Sequence, residues 1–185
     1  EMCIRDRDGM FSPVITSAKR RGIWLGINLL TAFLAAGVIG FFENILEQVV
    51  ALAILITIVP SMGGVAGSQT LTLVIRGLAL GQLGSSNYRS LIKKEILIGI
   101  LNGLVWALVV AAFSIIWFES FIIGAVIGIA LVINLVAGAF AGVLIPLSLR
   151  QLNIDPAIAG GVVLTTVTDV IGIVAFLGLA TLVLS

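Results

Sequence analysis

The charges in this sequence fall into a few short clusters, and long apolar windows separate them. Windows 22–42, 48–75, 96–118 and 120–149 carry no charged side chain; the second continues past Arg76 to about residue 83. Window 156–185 carries one, Asp169. A helix needs roughly 20 apolar residues to cross the hydrocarbon core of a bilayer, and each window is long enough. Lipid offers no partner to an open sheet edge, so such windows must be helices or strands of a closed barrel. Barrel strands alternate in polarity; these windows of Leu, Ile, Val, Ala and Gly do not. The expected fold is all-α, a polytopic membrane protein of five transmembrane helices with its termini on opposite sides.

Composition excludes most other classes. Hydrophobic residues make up 60% of the 185 and charged residues 10%, against about 25% charged in a typical soluble domain. Too few polar side chains remain to cover a soluble globule. A net charge of +1 gives no basic footprint for nucleic acid. With no His and one Cys, the chain cannot by itself build a zinc site, a Ser-His-Asp triad or a disulfide. It shows neither a phosphate loop nor a nucleophile–base pair, so no enzymatic activity is expected.

The loops orient the spans. Lys19, Arg20 and Arg21 precede span one, Arg89, Lys93 and Lys94 lie between spans two and three, and Arg150 lies between spans four and five. In a five-span chain these share one side. The opposite loops carry Glu43, Glu47 and Glu119 and no Lys or Arg. Basic loops stay in the cytoplasm, which predicts a cytoplasmic N-terminus and an extracytoplasmic C-terminus. Trp24 and Trp117 sit near span ends, where indole favours the interface. Residues 1–10, which include Cys3, alternate in charge and read as an extraneous or disordered tail. Residues 11–21 read as a cytoplasmic basic lead-in helix, and 22–185 as the five-span domain.

Two places carry chemistry. In span two, Pro60 is followed by Ser61, Met62, Gly63 and Gly64. Pro60 removes a donor and the two glycines loosen the helix, so a break is expected here. Carbonyls freed by a break can face a cation; alternatively Gly63, Gly67 and Ser68 form a small-residue packing face. Gln69, Thr70 and Thr72 in the same span need partners. Near the middle of span five lies Asp169, one helical turn after Thr165 and on the same face. A carboxylate there costs about 2.5–3.5 kcal/mol on insertion scales unless it meets water, a cation or a partner. A water-lined ion site is one reading, and an ion pair with Arg76 is the other. One Asp per chain is little for an ion pathway, but a two-fold dimer doubles it. Two facing carboxylates suit a hard divalent cation, and Mg²⁺ would be held through its waters.

At these residues the sequence resembles a family. Met62-Gly63-Gly64-Val65-Ala66-Gly67-Ser68-Gln69 and Ile75-Arg76-Gly77-Leu78-Ala79-Leu80-Gly81 resemble the second-span signature of the MgtE magnesium channels. Asn134-Leu135-Val136-Ala137-Gly138, Leu144-Ile145-Pro146, Asp155-Pro156-Ala157 and Thr165-Thr166-Val167-Thr168-Asp169-Val170-Ile171-Gly172 resemble its fourth and fifth spans. The resemblance runs from about Arg20 to the C-terminus. It implies a homodimeric pore for Mg²⁺ in the plasma (inner) membrane, on a two-fold axis lined by spans two and five. By position, Asp169 matches the acid that holds hydrated Mg²⁺. Thr165 and Gly64 match places whose carbonyls face the ion, Ser68, Thr72 and Ser61 match polar pore positions, and Gly161 lies toward the cytoplasmic half of span five. Asp155 matches an acid near the cytoplasmic mouth that can join a second metal site.

The sequence departs from the family in two motifs. Val65 stands where the family usually has Asn, and Ala159-Gly160-Gly161 where it usually has Ser-Gly-Pro. The family's acidic N-terminal domain and paired CBS domains, which sense Mg²⁺ and close the pore, are not read within these 185 residues. The expectation is therefore a pore domain alone or a member without that gate. A cation-coupled divalent exchanger and a structural membrane module without transport are the alternative readings.

Overall fold

Every regular element in the computed structural model, which describes residues 13–83 and 87–184, is a helix. The elements are α1 (Val14–Gly40), α2 (Glu43–Gln48), α3 (Val50–Leu55), α4 (Ile58–Ala79), α5 (Tyr88–Phe118), α6 (Phe121–Gln151) and α7 (Pro156–Leu184). The five expected spans are present: α1, the α3–α4 stretch Val50–Ala79, α5, α6 and α7 are long and apolar enough to cross a membrane. Pro13, with φ −55°, leads straight into α1, so Lys19 and Arg21 ride on the same continuous helix as span one. The tail at 1–10 and Cys3 lie outside the described residues.

Tight turns join the later helices. Glu119 ends α5 in the left-handed region at φ 51°, and Ser120 Oγ accepts from Ile123 N at 3.4 Å to cap α6. Gly81 (φ 67°) and Asn153 (φ 58°) turn the chain after α4 and α6. Asp155 Oδ1 then accepts from Ala157 N at 2.9 Å, with Pro156 opening α7, where a missing N–H costs nothing.

The central helix is α6, which packs on α4, α5 and α7. Lipid tails are as apolar as Leu, so helices in a bilayer associate by close packing rather than by expelling water. Small residues on α6 permit it. A Cβ on Gly138 would lie 2.6 Å from Gly63 O, and one on Gly142 2.7 Å from Gly67 O. The α4–α6 crossing is thus backbone against backbone. On the α5 side a Cβ on Gly103 would lie 3.2 Å from Val132 Cα. At the end of the bundle near α2 and α3, Phe176 and Leu177 pack with Leu52, Leu55, Val59 and Ile127. By contrast, α1 leans mainly on α7 and exposes Leu25, Leu30 and Phe33.

The expected break in span two is displaced. The helix is interrupted only by a turn at Ile56 and Thr57, both with αR backbone and with Ser61 N donating to Thr57 O at 3.2 Å, and α4 then runs unbroken through Gly63 and Gly64. Pro60 falls in the first turn of α4, where its missing N–H is tolerated. Gly63 and Gly67 are spent on contact with α6, which is the packing alternative, and they do not open the helix.

Candidate functional site

Three close approaches set α4 antiparallel to α7. A Cβ on Gly172 would lie 3.2 Å from Pro60 N, one on Gly64 3.6 Å from Thr168 Oγ1, and one on Gly160 3.1 Å from Leu71 Cδ1. This register brings Asp169 level with the Gly63–Gly64 pair and Thr165 level with Gly67 and Ser68. Ser61 lies at the α3 end of the same stripe on α4. Thr72 lies eight residues beyond Gly64, roughly 12 Å at 1.5 Å per residue. Ser61, Val65 and Thr72 are exposed, and Gly64, Ser68, Thr165 and Asp169 are half-buried. The stripe is therefore an open groove on one side of the chain and not a closed cavity.

Apart from Ser61, whose hydroxyl makes no hydrogen bond among the described residues, the hydroxyls along the groove are satisfied by their own helices. Ser68 Oγ donates to Gly64 O at 2.7 Å and Thr72 Oγ1 to Ser68 O at 2.8 Å. Thr165 Oγ1 donates to Val162 O at 3.0 Å and Gly161 O at 3.1 Å. Thr168 Oγ1 donates to Thr165 O at 3.1 Å. Each hydroxyl proton is thereby used, and the oxygen lone pairs are left to accept. Lone pairs of that kind suit a cation or the protons of its hydration water. The carbonyls of Gly64 and Thr165 each take a hydroxyl proton. Asp169 makes no hydrogen bond or ion pair among the described residues. Arg76 is exposed on the last turn of α4 and forms no ion pair with it, so the Asp169–Arg76 pair is not part of this structure. Asp155 stands apart from the groove, exposed at the start of α7.

Behind the groove, Asn134 on α6 is fully buried between α4 and α7. Its Nδ2 donates to Val59 O at 2.7 Å, and its Oδ1 has no partner. A Cβ on Gly63 would collide with this side chain, and one on Gly172 would lie 2.8 Å from its Nδ2. Asn134 thus buttresses the stretch just before Pro60.

Sequence reasoning missed Glu95. It follows Lys93 and Lys94 and so reads as loop, but α5 begins at Tyr88 and carries it two turns inward. It is 5% exposed and its Oε2 accepts from Thr70 Oγ1 at 2.9 Å. The signal was its spacing. Glu95, Gly99, Gly103 and Ala107 recur every four residues, a single helical face, and all four are buried. Among the described residues no three of His, Cys, Asp and Glu come together as a metal cluster.

Comparison with known proteins agrees with this architecture. A family model described as MgtE, divalent cation transporter, matches residues 56–179. That region holds the groove, Asn134 and Glu95. The magnesium transporter MgtE of Bacillus subtilis (strain 168) is 36% identical over 165 residues, 89% of this chain and 37% of that protein. Its namesake in Thermus thermophilus is 32% identical over 161 residues, 87% of this chain and 36% of that protein. The Enterococcus faecalis one is 30% identical over 168 residues, 91% of this chain and 37% of that protein. The chain spans a little over a third of the length of these relatives. On the match over residues 56–179, which takes in α4, α5, α6 and most of α7, the chain belongs to the MgtE family of divalent cation transporters.

Proposed function

We propose that this chain forms the pore of a Mg²⁺ transport protein, in which two copies face each other across the Asp169 groove. The observation that carries the reading is Asp169 itself, a carboxylate in mid-span with no partner among the described residues, beside hydroxyls whose lone pairs remain available. A groove open along one side of a membrane-embedded chain leaves that acid against lipid unless something covers it, and lipid is costly for a carboxylate. A second copy related by a two-fold axis covers both grooves and brings two carboxylates together. Two acids lined with neutral oxygens offer a hydrated Mg²⁺ charge and hydrogen-bond acceptors without requiring it to shed its waters. In this arrangement Asp169 attracts the ion. Ser68, Thr72, Thr165 and Ser61 accept from its water, and the carbonyls of Gly64 and Thr165 join when their hydroxyl donors rotate away. Asp155 and Gly161 lie toward the cytoplasmic mouth. The Lys/Arg asymmetry supports a plasma-membrane protein with its N-terminus in the cytoplasm.

The test is ion flux into liposomes containing the purified chain, with Asp169→Asn beside it. The substitution keeps the size and removes two charges from the dimer. Mg²⁺ flux is expected to fall at least about tenfold, the equivalent of roughly 1.4 kcal/mol, with discrimination against monovalent ions lost and the fold kept. Arg76→Gln is expected to leave selectivity unchanged. Unaltered Mg²⁺ selectivity in Asp169→Asn would remove the proposed site.

A further inference from the structure

A partly open cavity, mostly apolar but with a polar patch, lies between α4, α5 and α6, centred on a different side of α4 from the groove. Gln69, Thr70, Lys94, Glu95 and Asn102 line it among apolar neighbours, and its volume is about 240 Å³. Thr70 is two residues from both Ser68 and Thr72, roughly 200° round the helix from each. Thr70 thus faces away from the groove, while Gln69, three residues before Thr72, sits at the edge between the two faces of α4.

Its polar side chains are incompletely partnered. The Glu95 carboxylate is 5% exposed, receives one hydrogen bond, from Thr70 Oγ1, and has no ion pair among the described residues. The Gln69 and Asn102 side chains, both exposed at the mouth of the cavity, make no hydrogen bond among the described residues. A carboxylate and two carboxamides inside membrane-spanning helices are expensive without partners. Here they converge on one space large enough for an ion and several waters, at about 30 Å³ per water. The available donors are one carboxylate, one hydroxyl and two amide carbonyls, an all-oxygen set that suits a hard cation. Thr70 Oγ1 spends its proton on Glu95 and keeps its lone pairs for a ligand. The charge count selects valence. One carboxylate balances one positive charge and leaves a second unbalanced, and the Lys94 ammonium, exposed at the rim, adds a repulsion that grows with the charge of the ion.

We propose that this cavity binds a small monovalent alkali cation, with Glu95 as its charged ligand and Thr70, Gln69 and Asn102 as neutral ones. The site depends on the geometry of α4, α5 and α6, and stands or falls separately from the Asp169 reading. The experiment titrates Na⁺ against N-methylglucamine at constant ionic strength, without Mg²⁺, on the full chain in phosphatidylcholine nanodiscs. The readouts are the thermal midpoint and the ²³Na resonance linewidth. Na⁺ raises the midpoint and broadens the resonance in the wild-type chain and in Asp169→Asn, because ligand binding to the folded state stabilises it. Glu95→Gln loses both responses. Asn102→Leu keeps Glu95 and raises the half-saturating Na⁺ concentration about tenfold, and it decides the matter should Glu95→Gln not fold. Absence of any Na⁺ response in the wild-type chain overturns the proposal, as does a wild-type response in Asn102→Leu. A midpoint shift caused by Mg²⁺ that Glu95→Gln abolishes and Asp169→Asn keeps overturns the monovalent assignment.

Discussion

Replacing Gly138 by Ala tests whether the α4–α6 crossing is held by backbone contact. The added Cβ would lie 2.6 Å from Gly63 O and 3.4 Å from Gly67 N. Carbon meets a carbonyl oxygen at roughly 3.3 Å when neither is forced, so α4 must withdraw by about 0.7 Å. Both atoms it meets are main chain, and no rotamer change relieves the clash. Overpacking of this kind costs about 1–3 kcal/mol, offset in part by the advantage of up to about 1 kcal/mol that Ala holds over Gly in a helix. Gly26→Ala is the matched control, because a Cβ there meets nothing within 4 Å and only the helical gain remains. Unfolding in mixed micelles of rising SDS content is expected to place Gly138→Ala below the wild type and Gly26→Ala at or above it. The two variants should differ by about 1–3 kcal/mol. Equal midpoints for the two would refute the argument that Gly63, Gly67, Gly138 and Gly142 are there for close approach.

Further outcomes follow from single residues. Glu119 occupies the left-handed region, so Glu119→Gly is expected to stabilise the chain by about 1 kcal/mol in the same unfolding assay. Asp169→Cys is expected to crosslink to its counterpart in a second copy, directly or through a short bifunctional reagent; failure of both would argue against the shared axis. A reporter fused after Ser185 is expected to react with an impermeant reagent from outside intact cells, and labelling only after lysis would reverse the orientation.

The five spans were legible because charge is so costly in lipid that every charge-free window of sufficient length had to become a helix. The lead-in at Lys19 and Arg21 was separable by composition but not by structure, since α1 runs through it. Span two was harder. Pro60 and two glycines look alike as helix breakers in a sequence, yet one sits in a first turn and the others on a helix contact, and only the position of α6 distinguishes them. Asp169 was found because it is alone in its window. Glu95 was missed because two lysines precede it, although its four-residue spacing with Gly99, Gly103 and Ala107 placed it on the face toward α6.

Polar residues in these spans divide by what their own helix can satisfy. Ser114, buried on α5, has no partner among the described residues, but a Ser or Thr hydroxyl can otherwise reach the carbonyl three or four residues back. Ser68, Thr72, Thr165, Thr166 and Thr168 all do so at 2.7–3.1 Å. Their presence in a span therefore demands nothing from outside the helix, and the expectation that Thr72 needs a partner is met by Ser68 O. Carboxylates have no proton to give, and carboxamides present both donors and an acceptor, so neither is closed off by a single backbone carbonyl. Asn134 shows the point within the bundle: it reaches Val59 O with one end and leaves the other unpartnered. Asn28, exposed on α1, has no side-chain partner among the described residues and stands alone. Asp169, Glu95, Gln69 and Asn102 also lack a complete set of partners among the described residues. They gather at two places, the open groove of α4 and α7 and the cavity between α4, α5 and α6. A carboxylate at membrane depth calls for a partner, water or an ion. The occupants should then differ, because the groove doubles its single acid across a dimer axis while the cavity keeps one acid beside a lysine.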